Sequence, residues 1–232
     1  MRQLQKIIKD ELAGWKVWEI VWLLLSSVTI LCLSIYWKDS VIGIISAVSG
    51  VMCVVCTGKG KLSAYVFGLI NTVLYAYIAF TARYYGEVML NILYYLPMQF
   101  YGFYVWNKNI DEATHEVKKR KMRPKHLVIL LVMILMATVL YGLMLKLING
   151  AMPFVDALST VVSVVAMIVS IKMYAEQWLL WIIVDTVTVI LWGVAFVNGQ
   201  DNAATLMMWL VYLINAIVMQ IKWMKEAATT HV

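Results

Sequence analysis

The chain has 232 residues, and its composition is too apolar for a soluble protein, with 63% hydrophobic and only 14% charged residues. Soluble domains average about 45–50% apolar and about 25% charged residues. The composition therefore predicts a helical integral membrane protein. It excludes a secreted disulfide scaffold, a nucleic-acid-binding domain and a disordered chain, and it argues strongly against a soluble enzyme.

Eight apolar blocks follow one another along the chain, each long enough as a helix to cross or nearly cross a ~30 Å hydrocarbon core. They cover residues 17–37, 41–57, 62–82, 88–106, 125–148, 153–173, 176–197 and 203–223. Most connections are short turns, and the one long connection, 107–124, carries the basic run Lys118–Lys121. The pattern predicts eight transmembrane helices.

The net charge of +6 reflects where the lysines and arginines lie between these blocks. Cytoplasmic loops of membrane proteins carry an excess of these residues. With the N-terminus in the cytoplasm, all but three of the 19 fall inside; the exceptions are Lys38, Arg83 and Lys146. Both termini are therefore predicted to be cytoplasmic. The loop 107–124 is expected to be a solvated anchor with minor contact to anionic lipids, so the charge indicates no nucleic-acid partner.

Tryptophan positions agree with these span boundaries, because indole rings favour the headgroup region of the bilayer. Six tryptophans fall at predicted span ends and are expected to form an interfacial belt: Trp15, Trp18, Trp37, Trp106, Trp178 and Trp223.

Spans two to four and spans six to eight have matching lengths and read as two copies of one unit. The alignment places Asn71-Thr72-Val73 over Asp185-Thr186-Val187. A single span between two three-helix units restores their orientation, which gives parallel repeats of the transporter type. The expected fold is all-α, with two parallel three-helix bundles joined by a linker helix (1+3+1+3). The predicted segments are 1–40 (amphipathic segment and accessory helix), 41–106 (first repeat), 107–124 (basic cytoplasmic loop), 125–148 (linker helix), 153–223 (second repeat) and 224–232 (cytoplasmic tail).

Polar side chains at membrane depth are costly and often functional. Asp185 is the one acid near the centre of a predicted span, and it shares a helix face with Trp181, Thr188 and Trp192. Amides can match donors and acceptors, while aromatic faces can cover a ring or a cation. We predict a cavity for a small, polar, ring-bearing solute between the two bundles. Its expected residues are Asn71, Asn91, Gln99, Trp181, Asp185, Thr188, Trp192 and Asn215.

Structural roles compete with binding for several of these residues. Asn71, Asn91 and Asn215 could each supply a hydrogen bond that joins two helices. Asp185 could pair with a buried amide, and Gln99 could satisfy backbone groups freed by Pro97.

No catalytic motif competes with the binding interpretation. The three histidines, His115, His126 and His231, lie outside the predicted spans, and there is no phosphate-binding glycine loop, zinc-protease motif or nucleophile elbow. Cys53 and Cys56 have redox spacing but no histidine or further cysteine near them in sequence, so ordinary packing is favoured. We expect no enzymatic activity, no cofactor and no metal.

Several motifs together resemble the PnuC family of nicotinamide riboside transporters over about residues 41–223. The most specific is Leu96-Pro-Met-Gln-Phe100, within a run that continues to Trp106. The others are Lys59-Gly-Lys-Leu-Ser-Ala-Tyr-Val-Phe-Gly-Leu-Ile-Asn71, Tyr75-Ala-Tyr77, Asn91, Glu176-Gln-Trp178, Trp181, Trp192, Trp209, Tyr212 and Asn215.

The resemblance implies a vitamin transporter of the bacterial inner membrane, similar in topology to SWEET sugar transporters. Nicotinamide riboside would move down its gradient through a facilitator and be trapped by a cytoplasmic kinase. The expected partners are this solute, the lipid bilayer and, functionally, the kinase, with a homo-oligomer left open. The alternatives are a related vitamin (thiamine or riboflavin), proton-coupled uptake through Asp185, and a non-transporting membrane scaffold or sensor.

Overall fold

The computed structural model describes residues 10–82, 85–147, 153–199 and 203–229, with the side chains of residues 85, 204 and 229 left out. Within these ranges the chain is mainly helical, and its only extended pairings are two isolated bridges, one inside the long loop (Ile110 with Val117) and one between the loop and the turn at Tyr174 (Arg120 with Tyr174). The predicted external Arg83 and the predicted turn residues 200–202 fall outside them.

The helices follow the predicted apolar blocks closely. They are α1 (Val17–Tyr36), α2 (Val41–Lys59), α3 (Ser63–Thr81), α4 (Tyr85–Met89), α5 (Leu96–Asn107), α6 (Pro124–Leu147), α7 (Pro153–Ile171), α8 (Gln177–Val197) and α9 (Ala203–Thr229). Among the described residues, seven of these, α1–α3 and α6–α9, are long and apolar enough to cross a membrane. This finding confirms a helical protein with several membrane-spanning candidates.

The predicted fourth span is built differently from the others. A π-helix, Leu90–Tyr95, lies between α4 and α5, so the chain is helical from 85 to 107 but not uniformly α-helical. The N–H of Leu96 donates to the carbonyl of Asn91, five residues back. Pro97 follows directly and has no N–H to continue an α-helical ladder. The π-turn shifts the helical register between the residues before it and those after it.

The chain forms two compact units. The first contains the described residues up to Lys118 together with Trp192–Asn215, and the second contains Lys119–Leu191 together with the residues that follow Asn215. Both α8 and α9 contribute residues to each unit.

At one end of the first unit, three segments that were all predicted to be cytoplasmic meet. The turn after α2 contains Gly60, in a left-handed conformation with φ +84°, whose carbonyl accepts from the N–H of Val117 at 3.0 Å. The Lys61 ammonium donates to the carbonyls of Asp10 at 2.8 Å and His115 at 2.9 Å. Burial lowers the pKa of Lys61, although the nearby Glu11 opposes the shift. The N-terminal segment and the long loop therefore fold onto the α2–α3 turn.

In the second unit one cation of the long loop, Lys119, is buried, whereas Arg120, Lys121 and Arg123 are exposed as in a solvated loop. Lys119 is 7% exposed, forms an ion pair with Glu226, and lies over the ring of Trp223 at 5.5 Å. The Met122 N–H donates to both carboxylate oxygens of Glu176, at 3.0 and 3.1 Å. A carboxylate and an aromatic face thus stabilise one cation of the basic run, and a charge pattern alone does not reveal such partners.

The predicted tryptophan belt is wrong at three of its six positions. Trp106, Trp178 and Trp223 are at most 2% exposed. Trp106 packs edge-on against Tyr65 in the first unit, and Trp178 packs edge-on against Trp223 in the second. Their large rings fill the protein interior at the helix ends, where burial among neighbouring helices outweighs the headgroup preference.

Candidate functional site

Gln99 on α5 lies in a recess on α3. It is half-buried, and its side-chain Nε2 donates to the hydroxyl of Thr72 at 3.4 Å. Gly68 precedes Thr72 by one turn, on the same face of α3. A Cβ atom on Gly68 would lie 2.7 Å from Oε1 of Gln99, closer than real Cβ contacts allow. Gly68 therefore leaves the room that the amide occupies, and Thr72 contacts it.

Trp192 begins a chain of aromatic contacts in the first unit. Its indole Nε1 donates to the hydroxyl of Tyr75 at 3.1 Å, and only 1% of the residue is exposed. Tyr75 also packs edge-on against Trp209, which in turn packs edge-on against Tyr212. A hydrogen bond therefore fixes the indole at its polar edge.

Asn71 is engaged by the protein itself. Its Nδ2 donates to the carbonyl of Ser46 at 2.9 Å and to the Ser46 hydroxyl at 3.2 Å, and its Oδ1 accepts from the Tyr212 hydroxyl at 3.4 Å. Tyr212 lies over Gly50, where a Cβ would come within 1.8 Å of the phenol oxygen. Asn71 thus joins α2, α3 and α9, which supports a role in linking helices.

Asn215 also links three helices. The residue is fully buried, its Nδ2 donates to the Val54 carbonyl at 3.1 Å, and its Oδ1 accepts from the Trp22 indole at 3.2 Å. These contacts connect α9 to α1 and α2 and support the structural alternative here too.

Asn215→Ala is expected to lower the free energy of unfolding by about 1–3 kcal/mol, because it removes the acceptor of the half-buried Trp22 indole and the link to the Val54 carbonyl. Thermal unfolding of the purified protein in detergent measures this loss. Asn107→Ala, at the exposed end of α5, serves as the control and should leave stability nearly unchanged. Equal stability of both variants would show that the bonds of Asn215 are not structural.

Asn91 differs from the other two asparagines because its bond stays within one helical segment. Its Nδ2 donates to the carbonyl of Glu87 at 2.8 Å, and the residue is 4% exposed. Its Oδ1 has no hydrogen-bond partner among the described residues, which leaves an acceptor available.

In the second unit, Asp185 is the outstanding polar group of α8. The residue is 3% exposed, and within the described chain its carboxylate has neither an ion pair nor a hydrogen bond. Thr188, one turn on, donates to the Val184 carbonyl of its own helix at 2.9 Å. Trp181, one turn before Asp185, is half-buried. A buried carboxylate without a protein partner is costly and is available to a cation or a donor.

The described residues contain no group of three or more His, Cys, Asp or Glu side chains that could hold a metal ion. Among the predicted site residues, all of which lie in the described part of the chain, the polar groups without a protein partner are the amide oxygens of Asn91 and Gln99 and the Asp185 carboxylate, and Trp192 offers a fixed indole. Sequence reasoning missed the contribution of Gly68 and Thr72. Their signal was a pair of small residues one turn apart, which is a common helix-contact pattern in membranes.

Comparison with known proteins identifies the family of this chain. The family model described as nicotinamide mononucleotide transporter matches residues 40–225. The chain belongs to the nicotinamide mononucleotide transporter family. A nicotinamide riboside transporter PnuC from Neisseria mucosa is 38% identical over 94% of this chain and 84% of that protein. One from Haemophilus influenzae is 32% identical over 97% of this chain and 98% of that protein.

A solved structure, the crystal structure of the vitamin B3 transporter PnuC, matches with a TM-score of 0.86 and 39% identity, covering 95% of this chain and 97% of that one. These matches confirm the resemblance to PnuC proteins. They also confirm that the chain is a multi-pass membrane protein of a transporter family and not an enzyme.

Proposed function

We propose that this chain transports nicotinamide riboside across the bacterial inner membrane. The curated relatives carry that activity in their names, whereas the family description names nicotinamide mononucleotide. The two solutes share a cationic pyridinium ring, a carboxamide and a ribose, and they differ by one phosphate. The choice between them is therefore a question about charge.

The main support for this proposal is the distribution of charged side chains along the membrane-spanning helices. In the described helices lysines occur only at or near the ends, as Lys59, Lys125, Lys146 and Lys222 do, while Asp185 is buried in mid-helix without a partner. A phosphate monoester carries about −1.5 to −2 charge and calls for arginine, lysine or a helix N-terminus. A buried acid suits a cation instead. The arrangement favours the riboside over the mononucleotide.

Titration calorimetry of the purified full chain tests the substrate. Nicotinamide riboside should bind, and nicotinamide mononucleotide should bind at least ~10-fold more weakly, because its phosphate would lose water without gaining a cationic partner. Thiamine and riboflavin serve as competitors from related vitamin classes and should not displace the riboside. Tighter binding of the mononucleotide, or displacement by thiamine, would reassign the substrate.

The predicted site residues fall into two groups, those that contact the solute and those that link the helices around it. Gln99, Asn91 and Trp192, together with Trp181, Asp185 and Thr188, are proposed to contact the solute. Asn71 and Asn215 are proposed to hold the framework, because their side chains already bond to neighbouring helices.

The proposed mode is facilitated diffusion, with phosphorylation by a cytoplasmic nicotinamide riboside kinase trapping the product. Its support is that Asp185 has no cationic partner among the described residues with which to form a coupling pair. In the alternative, Asp185 carries a proton across the membrane.

Uptake into proteoliposomes with imposed proton or sodium gradients distinguishes the two modes. Internal riboside should rise to the external concentration and stop there, with and without a gradient. Asp185→Asn should alter affinity or rate and leave this endpoint unchanged. Accumulation above equilibrium that collapses with the gradient, and is lost in Asp185→Asn, would establish proton coupling.

The proposed topology has eight spans in a 1+3+1+3 arrangement with both termini in the cytoplasm. It is supported by the first unit, in which the N-terminal segment, the α2–α3 turn and the long loop, all assigned to the cytoplasm, come together at one end.

Single-cysteine labelling in intact cells tests this topology, in a background where Cys32, Cys53 and Cys56 are replaced by serine. A membrane-impermeant maleimide should label Lys38→Cys from outside and should not label Lys121→Cys, which becomes reactive after lysis. Both positions are exposed in the structure. The reverse pattern would invert the topology. The different-class alternative, a non-transporting scaffold or sensor, predicts no solute uptake at all.

A further inference from the structure

The turn between α7 and α8 in the second unit is built on the same plan as the α2–α3 turn in the first. In the first turn Gly60 has φ +84°, and its carbonyl accepts from the N–H of Val117 at 3.0 Å. In the second turn Met173 has φ +61°, and its carbonyl accepts from the N–H of Arg120 at 2.9 Å. Each turn therefore has one residue in the left-handed conformation, and that residue bonds to the long loop.

The second turn is the less relaxed of the two. A left-handed backbone suits glycine but is unfavourable for an L-residue such as Met173, whose side chain is 2% exposed and holds the turn by packing. Gln177, which begins α8, is fully buried, and neither its amide oxygen nor its amide nitrogen has a hydrogen-bond partner among the described residues. A buried amide without partners is costly. In the first turn, by contrast, the buried Lys61 donates to two carbonyls.

A short stretch of the long loop, residues 119–122, runs along the second turn and is named the clasp here. Besides the bond to Met173, the carbonyl of Arg120 accepts from the N–H of Ala175 at 2.8 Å. The N–H of Met122 donates to the carboxylate of Glu176 at 3.0 and 3.1 Å. These are polar bonds, and water can replace each of them when the clasp moves away at little net cost.

We propose that the clasp is a gate of the second unit, which holds the α7–α8 turn closed in this structure and releases it during transport. The inference rests on the proposed function, since a transporter exposes its site to each side of the membrane in turn. Release would let water reach the Gln177 amide and would let Met173 leave the left-handed region. The unpaired amide and the unfavourable backbone thus raise the free energy of the closed form and bring it nearer to that of the open form.

A reversible disulfide across the clasp tests this gate. Arg120 and Tyr174 are partners in a parallel β-bridge, and the ~5 Å between paired strands lies within the Cα range of a disulfide. Arg120→Cys/Tyr174→Cys is made with Cys32, Cys53 and Cys56 replaced by serine, and uptake of labelled nicotinamide riboside into proteoliposomes is measured. Because a locked clasp removes the open form, oxidation should slow uptake at least ~10-fold and dithiothreitol should restore it. Free thiols that persist under oxidation would contradict the closed clasp.

Ile110→Cys/Val117→Cys is the matched control, because these residues form the other isolated bridge and a disulfide there stays within the first part of the loop. Its uptake should be the same in the oxidised and the reduced state. Full-rate uptake by the oxidised Arg120→Cys/Tyr174→Cys protein would overturn the gate. Equal slowing of both variants would also overturn it, because the effect would then belong to the loop as a whole.

Gln177→Met tests the closed form without a cross-link. Methionine has a similar volume and no strong donor or acceptor, so it should stabilise the closed clasp and slow uptake at least ~5-fold. The melting temperature should rise by about 2–4 °C. Thr138→Val is the control, since the Thr138 hydroxyl is also buried without a partner among the described residues but lies in the middle of α6, and its uptake rate should not change. A lower melting temperature or a wild-type uptake rate in Gln177→Met would contradict the gate.

The outcomes for the gate and for the proposed function are separable. Absence of nicotinamide riboside uptake by the wild-type chain would overturn the proposed function. Uptake by the wild type that is also unaffected by the cross-link and by Gln177→Met would overturn the gate alone.

Discussion

Lys59→Met will lower the free energy of unfolding by about 3–5 kcal/mol, the usual result of removing one partner from a buried ion pair. Lys59 is 2% exposed at the end of α2, and its ammonium lies 2.8 Å from Glu19 and 2.8 Å from Glu116. It also donates to the carbonyl of Gly14. Methionine fills the same volume but removes the ammonium that pairs with the buried Glu19 carboxylate. For a chain of this size the melting temperature should fall by roughly 10 °C.

Thermal unfolding in detergent, followed by size-exclusion chromatography, measures this loss. Lys121→Met removes a lysine that is exposed in the long loop, and it should change the melting temperature little. The double variant Lys59→Met/Glu19→Gln should recover part of the loss, because it also removes the buried negative charge that Lys59 pairs with. A Lys59→Met protein as stable as the wild type would show that this ion cluster does not hold the N-terminal segment and the loop to α2.

Gln99→Ala will weaken nicotinamide riboside binding by ~5- to 150-fold, which corresponds to about 1–3 kcal/mol for one lost polar partner. Gln99 is the most direct test of the site because it is half-buried, and its one hydrogen bond to the protein, at 3.4 Å to Thr72, is long. The protein should therefore stay folded and monodisperse. Calorimetry gives the affinity, and the melting temperature reports the fold.

Leu140→Ala is the control, since Leu140 on α6 is 66% exposed and should not affect binding. Trp192→Ala is a poorer test because the indole is buried and bonded to Tyr75, so truncation also leaves a cavity costing about 3–5 kcal/mol. Trp192→Phe keeps a ring and removes the hydrogen bond. Unchanged affinity in Gln99→Ala would move the binding site away from α5.

The membrane spans could be predicted because each apolar block is a local feature of the chain. The predicted 41–57 and 153–173 became Val41–Lys59 and Pro153–Ile171, with only the ends shifted. The fourth span shows the limit of this approach. Its apolar pattern gave no sign of the π-helix Leu90–Tyr95, and only Pro97 marked an irregularity.

The hydrogen-bond and ion-pair partners of a side chain, by contrast, lie far from it in sequence. In the sequence, an asparagine that binds solute looks the same as one that joins helices. Asn71 is assigned to the framework by its contacts with Ser46 and Tyr212. Asn215 is assigned to it by its contacts with Val54 and Trp22. In the sequence Lys119 is one cation of a basic run, and its ion pair with Glu226 becomes visible only in the structure. Gln99 was identified from its motif, whereas its neighbours Gly68 and Thr72 needed the three-dimensional contact.

Uptake of labelled nicotinamide riboside into liposomes that contain only this chain tests the central claim most directly. The account predicts uptake that rises to the external concentration, is slowed by Gln99→Ala, and is competed by unlabelled riboside but not by equimolar nicotinamide mononucleotide. Uptake no faster than in protein-free liposomes would contradict transport. Equal competition by the mononucleotide would contradict the inference that the buried Asp185 favours a cationic solute without a phosphate.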